Sequence, residues 1–183
     1  MPTVTLRHTS EVSATGWDAS TANFGDGNTS TSATQNSTTC NFTGVLADLD
    51  SGLSGATINS FTISLNAKAG RAGASTVDMS LVHSSDGVFA TETESFPGSQ
   101  GTRTTSARTT QQDGSSALTF AYINNCNVRI EPNTQGTTAY DLFVTVDYTA
   151  AAGYGNDVMG VASANIEKVD GIATANIEKI IGV

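Results

Sequence analysis

The sequence predicts an all-β protein: an antiparallel two-sheet β-sandwich of jelly-roll-like kind over residues 1–150, with a short C-terminal repeat tail containing helical turns. Three observations carry that expectation. The stretch Ser54–Ala67 sets Phe61, Ile63, Leu65 and Ala67 on one side and Thr62, Ser64 and Asn66 on the other, the period-two alternation of a strand with one buried face. Charged residues are only 14% of the 183-residue chain, and Ser, Thr, Asn and Gly take their place. Those residue types form helices poorly and suit turns and exposed sheet faces. The alternating pattern also recurs at short intervals along the chain, as sandwiches require.

Taken in order, residues 3–8 read as a first strand with Val4 and Leu6 inward. Residues 9–37 read as a long polar loop holding Trp17, Phe24 and the turn Gly25-Asp26-Gly27-Asn28, with Trp17 pinning the loop to the edge of the sandwich. Residues 38–46 form a second strand in which Cys40 and Phe42 alternate, and Asp48–Leu53 connects it to the Ser54–Ala67 strand. After a Gly-rich turn over 69–73 comes a strand from Ser75 to Val82 with Val77, Met79 and Leu81 inward. Ser84-Ser85-Asp86-Gly87 signals a hairpin, and the polar run Gly101–Thr110 reads as an edge strand whose Arg103 and Arg108 discourage edge-to-edge pairing. Leu118, Phe120 and Tyr122 alternate as a further strand, followed by Val128 and Ile130. The last strand places Tyr140, Leu142, Val144, Val146 and Tyr148 on one face and Asp141, Phe143, Thr145 and Asp147 on the other.

Residues 151–155 form a linker, and 156–183 are a repeat tail. Gly160-Val-Ala-Ser-Ala-Asn-Ile-Glu-Lys-Val169 returns as Gly171-Ile-Ala-Thr-Ala-Asn-Ile-Glu-Lys-Ile180, and Gly182-Val183 opens a third copy, a period of 11 residues. Eleven residues approximate three helical turns, but a Gly in each unit costs about 1 kcal/mol against Ala inside a helix. Each unit therefore reads as one short helical turn, Ala-Asn-Ile-Glu-Lys, with Ser163 and Thr174 as N-caps. Two such units cannot bury Val161, Ile166, Val169, Ile172, Ile177 and Ile180 by themselves. At about 1.5–3 kcal/mol for each buried side chain, the tail is expected to dock on its own sandwich, on sister subunits or on another protein.

Charge excludes several functions. The net charge of −9, with only eight Lys and Arg, leaves no basic patch for nucleic acid and little attraction to anionic lipid. No apolar run reaches membrane-spanning length, and the N-terminus lacks the apolar core of a signal peptide, so synthesis without the secretory route is expected. Cys40 and Cys126 are too few for a disulfide scaffold; two buried thiols is the plainer reading, a single bridge the other.

Candidates for chemistry are sparse, and no catalytic residue, metal ligand or cofactor is expected. Gly52-Leu-Ser-Gly-Ala56 partly matches a nucleophile elbow, but the predicted strand follows it instead of preceding it. His8 and His83 read as surface or sheet-face residues. Asp48, Asp50 and Gly52 match a fragment of a calcium loop, and Asp26 with Asn28 offers another; turn-forming Asp is the plainer reading of both. Trp17, Phe24, Tyr122 and Tyr140 could form a stacking platform for sugars, with loop and core packing as the plainer alternative.

Several features arrive together in a recognisable order: Trp17 and Ala19, the Asp26-Gly27 turn, Asn41-Phe42, Leu53-Ser-Gly-Ala-Thr-Ile58, Ile123-Asn-Asn-Cys-Asn-Val-Arg-Ile130 and Tyr140–Thr149. This order resembles a β-sandwich module of bacteriophage virion proteins and some bacterial surface proteins. Leu53 stands where that module often has Pro, and Asn127 where it has an aromatic. The tail is similar to Ala-Asn-Ile-Glu-Lys-Ile repeats that end structural proteins of marine phages. The resemblance implies a non-catalytic virion component on the particle exterior, a head decoration (cement) or fibre-type protein, often trimeric. Its partners would be sister subunits and capsid or tail proteins. The alternative is a glycan-binding receptor-recognition module of a tail fibre or cell-surface protein, with Trp17 and Phe24 as contacts.

Overall fold

The computed structural model describes residues 2–18, 21–70, 73–133 and 136–151, and the backbone of 168–169 and 172–173. The strands are β1 (Thr3–Thr15), β2 (Ala33–Thr34), β3 (Asn41–Leu46), β4 (Thr57–Lys68), β5 (Ser75–His83), β6 (Gly87–Phe96), β7 (Gly101–Thr104), β8 (Cys126–Pro132) and β9 (Thr138–Thr149). They pair antiparallel in the order β6-β5-β8-β3-β1-β9-β4-β7, with β2 also on β9. The all-β expectation therefore holds, as a nearly closed antiparallel sheet. Its two ends approach where Arg103 Nε donates to Ser95 O (3.0 Å) and Ser106 N donates to Glu92 (2.8 Å).

Strand β1 serves both halves of the sheet. Thr3–Arg7 pair with β9, and His8–Thr15 with β3, through register shifts after His8 and after Glu11. Those two bulges correct the expectation of a loop from residue 9. The extra residues throw the alternation out of phase, so a half-exposed polar strand reads as a loop in sequence. The irregular segment begins at Gly16, whose φ of +75° and tight approach to Thr39 O favour a residue without Cβ.

Alternation elsewhere is reliable. Phe61, Ile63, Leu65 and Ala67 of β4, Val77, Met79 and Leu81 of β5, Val128 and Ile130 of β8, and Leu142, Val144 and Val146 of β9 fill the core. Tyr140 does not join them. The β4–β9 register shifts between Asn66↔Asp141 and Ala67↔Ala139, so Ala139 points inward and Tyr140 packs beside Lys68, whose Nζ lies 5.7 Å from its ring centroid. A second correction concerns Leu118–Tyr122. Phe120–Asn124 is a short helix, α1, because the Thr119 side chain accepts from Tyr122 N (3.1 Å) and caps it.

In the tail, Lys168–Val169 (β10) pairs antiparallel with Ile172–Ala173 (β11). Lys168 therefore belongs to a strand and not to a helical turn; Ala164–Glu167, Ala175–Lys179 and the caps Ser163 and Thr174 lie outside the described residues. Among the described residues no helix is long and apolar enough to cross a membrane.

Candidate functional site

The pairing defines two ends. Thr15, Lys68 and Thr138 mark one; Thr57, Thr149, His83 and Gly87 mark the other. The first end is closed by the segment after β1. Phe24 sits edge-on to Trp17 (4.9 Å between centroids) and to Phe42 (4.8 Å), and His8 is edge-on to Phe42 (5.0 Å). Trp17 is 6% and Phe24 0% exposed, so neither ring is presented for a sugar to stack on. The burial favours the plainer alternative, loop and core packing, over the sugar platform. Tyr122 and Tyr140 are buried as well, at opposite ends of the sheet.

Asp26 accepts from Asn28 N (2.7 Å) and Thr31 Oγ1 (2.6 Å), and Asp50 from Gly52 N (2.7 Å), so both acids shape turns. Among the described residues no group of three His, Cys, Asp or Glu could hold a metal ion. Ser54 ends a short 3-10 turn before β4, which is not the strand-to-helix setting of a nucleophile elbow. Cys40 and Cys126 are free and buried, and burial pushes both thiols up to about 12. Of the expected docking residues, Val161, Ile166, Ile177 and Ile180 lie outside the described residues, and only the backbone of Val169 and Ile172 is described.

The opposite end carries a cleft of about 600 Å³ lined by Asp86, Gln111, Gln112 and Asp113. Three segments build it. The β5–β6 hairpin supplies Asp86 just before Gly87, whose φ is +83°. Helix α1 supplies Tyr122, whose ring stacks on His83 (4.0 Å, 8° between planes) and meets Phe89 edge-on (5.6 Å). The Tyr122 hydroxyl accepts from Gln112 N (3.2 Å) and so holds the third segment. That segment is a tight turn. Asp113 accepts from Ser115 N, Ser116 N and Ser116 Oγ, and the Ser116 hydroxyl above all lowers its carboxyl to about 2.

The cleft is rich in acceptors. Gln111 Nε2 donates to Ala117 O (2.7 Å) and Gln112 Nε2 to Val88 O (3.4 Å), which orients both amides. Among the described residues neither amide oxygen accepts a hydrogen bond, so two amide oxygens stand beside two carboxylates. Such a surface suits hydroxyls or a cation. His83, Ser85 and Asp86 also lie together, but Ser85 Oγ (3.1 Å) and Asp86 (3.3 Å) both approach His83 Nδ1. A nucleophile–base–acid relay uses the two opposite ring nitrogens, so this is not that arrangement.

No family model matches the chain, and no curated protein does. Solved structures with similar folds include a truncated AlyQ with CBM32 and alginate lyase domains (15% identity, TM-score 0.48, covering 86% of this chain and 36% of that one). Another is a GH26-CBM35 β-(1,4)-mannanase of Podospora anserina (16%, 0.45, 82% and 28%). A third is the C-terminal CBM6 of LamC, a marine laminarinase from Zobellia galactanivorans (10%, 0.43, 79% and 98%). The chain spans about a third of the length of the first two.

Proposed function

We propose that the chain is a display module of a virus particle: a jelly-roll-like sandwich on the exterior of a bacteriophage virion, held through its repeat tail by sister subunits or by a capsid or tail protein. One observation supports this above the rest. Among the described residues the core of the β-domain runs from Leu6 to Val146, while after position 160 the sequence carries eight Val and Ile side chains, the six docking candidates among them. Two repeat units are too few to bury those side chains against each other, and burying them against a partner stabilises an assembly. The test is attachment: particles assembled with the full chain should carry it at a fixed copy number, and particles assembled with residues 156–183 deleted should lack it. Normal loading of the deleted chain rejects the reading.

A second reading is a glycan-binding module, and the acceptor-rich cleft favours it over the buried Trp17 and Phe24. It predicts binding of a neutral oligosaccharide that is lost in Asp86→Asn with the fold retained. Silence across a glycan array at millimolar ligand removes it.

A further inference from the structure

We propose that protonation of His8 releases residues 21–31 from the sheet and uncovers Trp17, Phe24 and Phe42, an acid-operated switch built into the Thr15 end. It requires neither the tail nor the cleft.

The His8 ring has no place for a second proton. It is 9% exposed, with Phe42 edge-on at 5.0 Å. Gly25 closes over it: a Cβ there would lie 2.7 Å from Cε1 and 2.8 Å from Nδ1. Nδ1 is buried and has no hydrogen-bond partner among the described residues. A neutral imidazole leaves one ring nitrogen as a bare lone pair, whereas an imidazolium has two N–H donors and both need acceptors.

The acceptors within reach are already engaged. Three carboxylates lie near His8: Glu11 on its own strand, Asp141 on β9 and Asp26 in the turn that follows the 3-10 helix Thr21–Phe24. Asp141 accepts twice from Arg7, at 3.1 Å from Nε and 3.0 Å from Nη2. Glu11 accepts from Thr21 Oγ1, and Asp26 from Asn28 N and Thr31 Oγ1. A charge-assisted hydrogen bond is roughly twice as strong as a neutral one, so an imidazolium displaces a hydroxyl more readily than a guanidinium. The carboxylates it wins are therefore Glu11, which anchors Thr21, and Asp26, which shapes the turn up to Thr31.

Little else ties that segment down. Among the described residues no backbone hydrogen bond joins 21–31 to a strand, and Gln100 Nε2 reaches Thr29 O from the β6–β7 connection (2.9 Å). A unit held by so few bonds opens locally while the sheet persists. Proton linkage sets the direction. Burial holds the closed His8 below its ordinary 6.5, and opening restores the ordinary value. Opening is therefore favoured as pH falls below 6.5, and the gain ends at the lowered closed value.

Trp17 is the chain's single tryptophan and lies 4.9 Å from Phe24, so its emission reports the opening. From pH 7.5 to 4.5 the full-length chain should shift that emission to the red and become several-fold more accessible to acrylamide, with the far-ultraviolet circular dichroism constant. Amide protection at 21–31 should fall by up to about tenfold for each pH unit below 6.5, and hold at 61–65 in β4. His8→Leu, which cannot titrate, should keep the neutral emission down to pH 4.5. If that variant fails to fold, NMR titration of the natural chain decides: the His8 ring should protonate in step with the emission change, and a ring that stays neutral through it overturns the inference. Emission that does not move, an acid response that survives in His8→Leu, or protection lost equally at 61–65 overturns it as well.

Discussion

The two ends of the sheet use aromatic residues in opposite ways. At the Thr15 end, Trp17, Phe24 and Phe42 interlock edge to face, and Gly25 lies so close to the His8 ring that a Cβ there would come within 2.7 Å of Cε1. Rings fill that end. At the Thr149 end, Tyr122 is spent on orientation: one face covers His83 and its hydroxyl holds Gln112 N, which leaves polar groups around an open cleft. An aromatic cluster in a loop is thus a poor marker of a binding surface when its faces are covered by each other.

The largest expected effect breaks the packed end. Phe24→Ala should cost about 4 kcal/mol, read as a lowered denaturant midpoint, because it opens a cavity among Trp17 and Phe42. A small loss would mean that the segment after β1 is not part of the core. Acid sharpens the same end. His8 Nδ1 is buried with no hydrogen-bond partner among the described residues, and burial lowers the imidazole from its ordinary 6.5 despite Glu11, Asp141 and Asp26 nearby. The unfolded chain therefore takes up a proton that the folded chain refuses. Stability should fall as pH drops below 6.5, until pH passes the lowered folded value. His8→Gln should flatten that slope in urea titrations across pH 7 to 4; an unchanged slope removes His8 as its source.

The smallest effect belongs to the open end. Tyr122→Phe keeps the ring and loses one hydrogen bond, a cost of about 1 kcal/mol. It should raise amide exchange at Gln112 while leaving exchange around Phe24 unchanged. Faster exchange at both ends would mean that they are coupled.

Strands β4, β5 and β9 were legible because Phe61 to Ala67, Val77 to Leu81 and Leu142 to Val146 each set every second residue into the core. The bulges in β1 and at Tyr140 were not, since a single extra residue inverts every later side chain and leaves no local mark. Helix α1 had a readable signal in Thr119, an N-cap type before Phe120, that the apparent alternation masked. So had the tail: Asp170-Gly171 between Val169 and Ile172 is the residue pair of a tight hairpin, consistent with β10 and β11, and the 11-residue period drew the reading toward helix instead. The cleft was illegible for another reason. Asp86, Gln111–Asp113 and Tyr122 come from three segments, and only the fold brings them together.

The claim that a self-sufficient β-domain is held by a tail that needs company is tested most directly by mass in solution. Light scattering of the full chain and of the chain lacking residues 156–183 should give a multiple of the 18.8 kDa protomer for the first and a folded monomer for the second. A full chain that runs as a monomer at every concentration, and whose deletion changes neither mass nor partner binding, would contradict it.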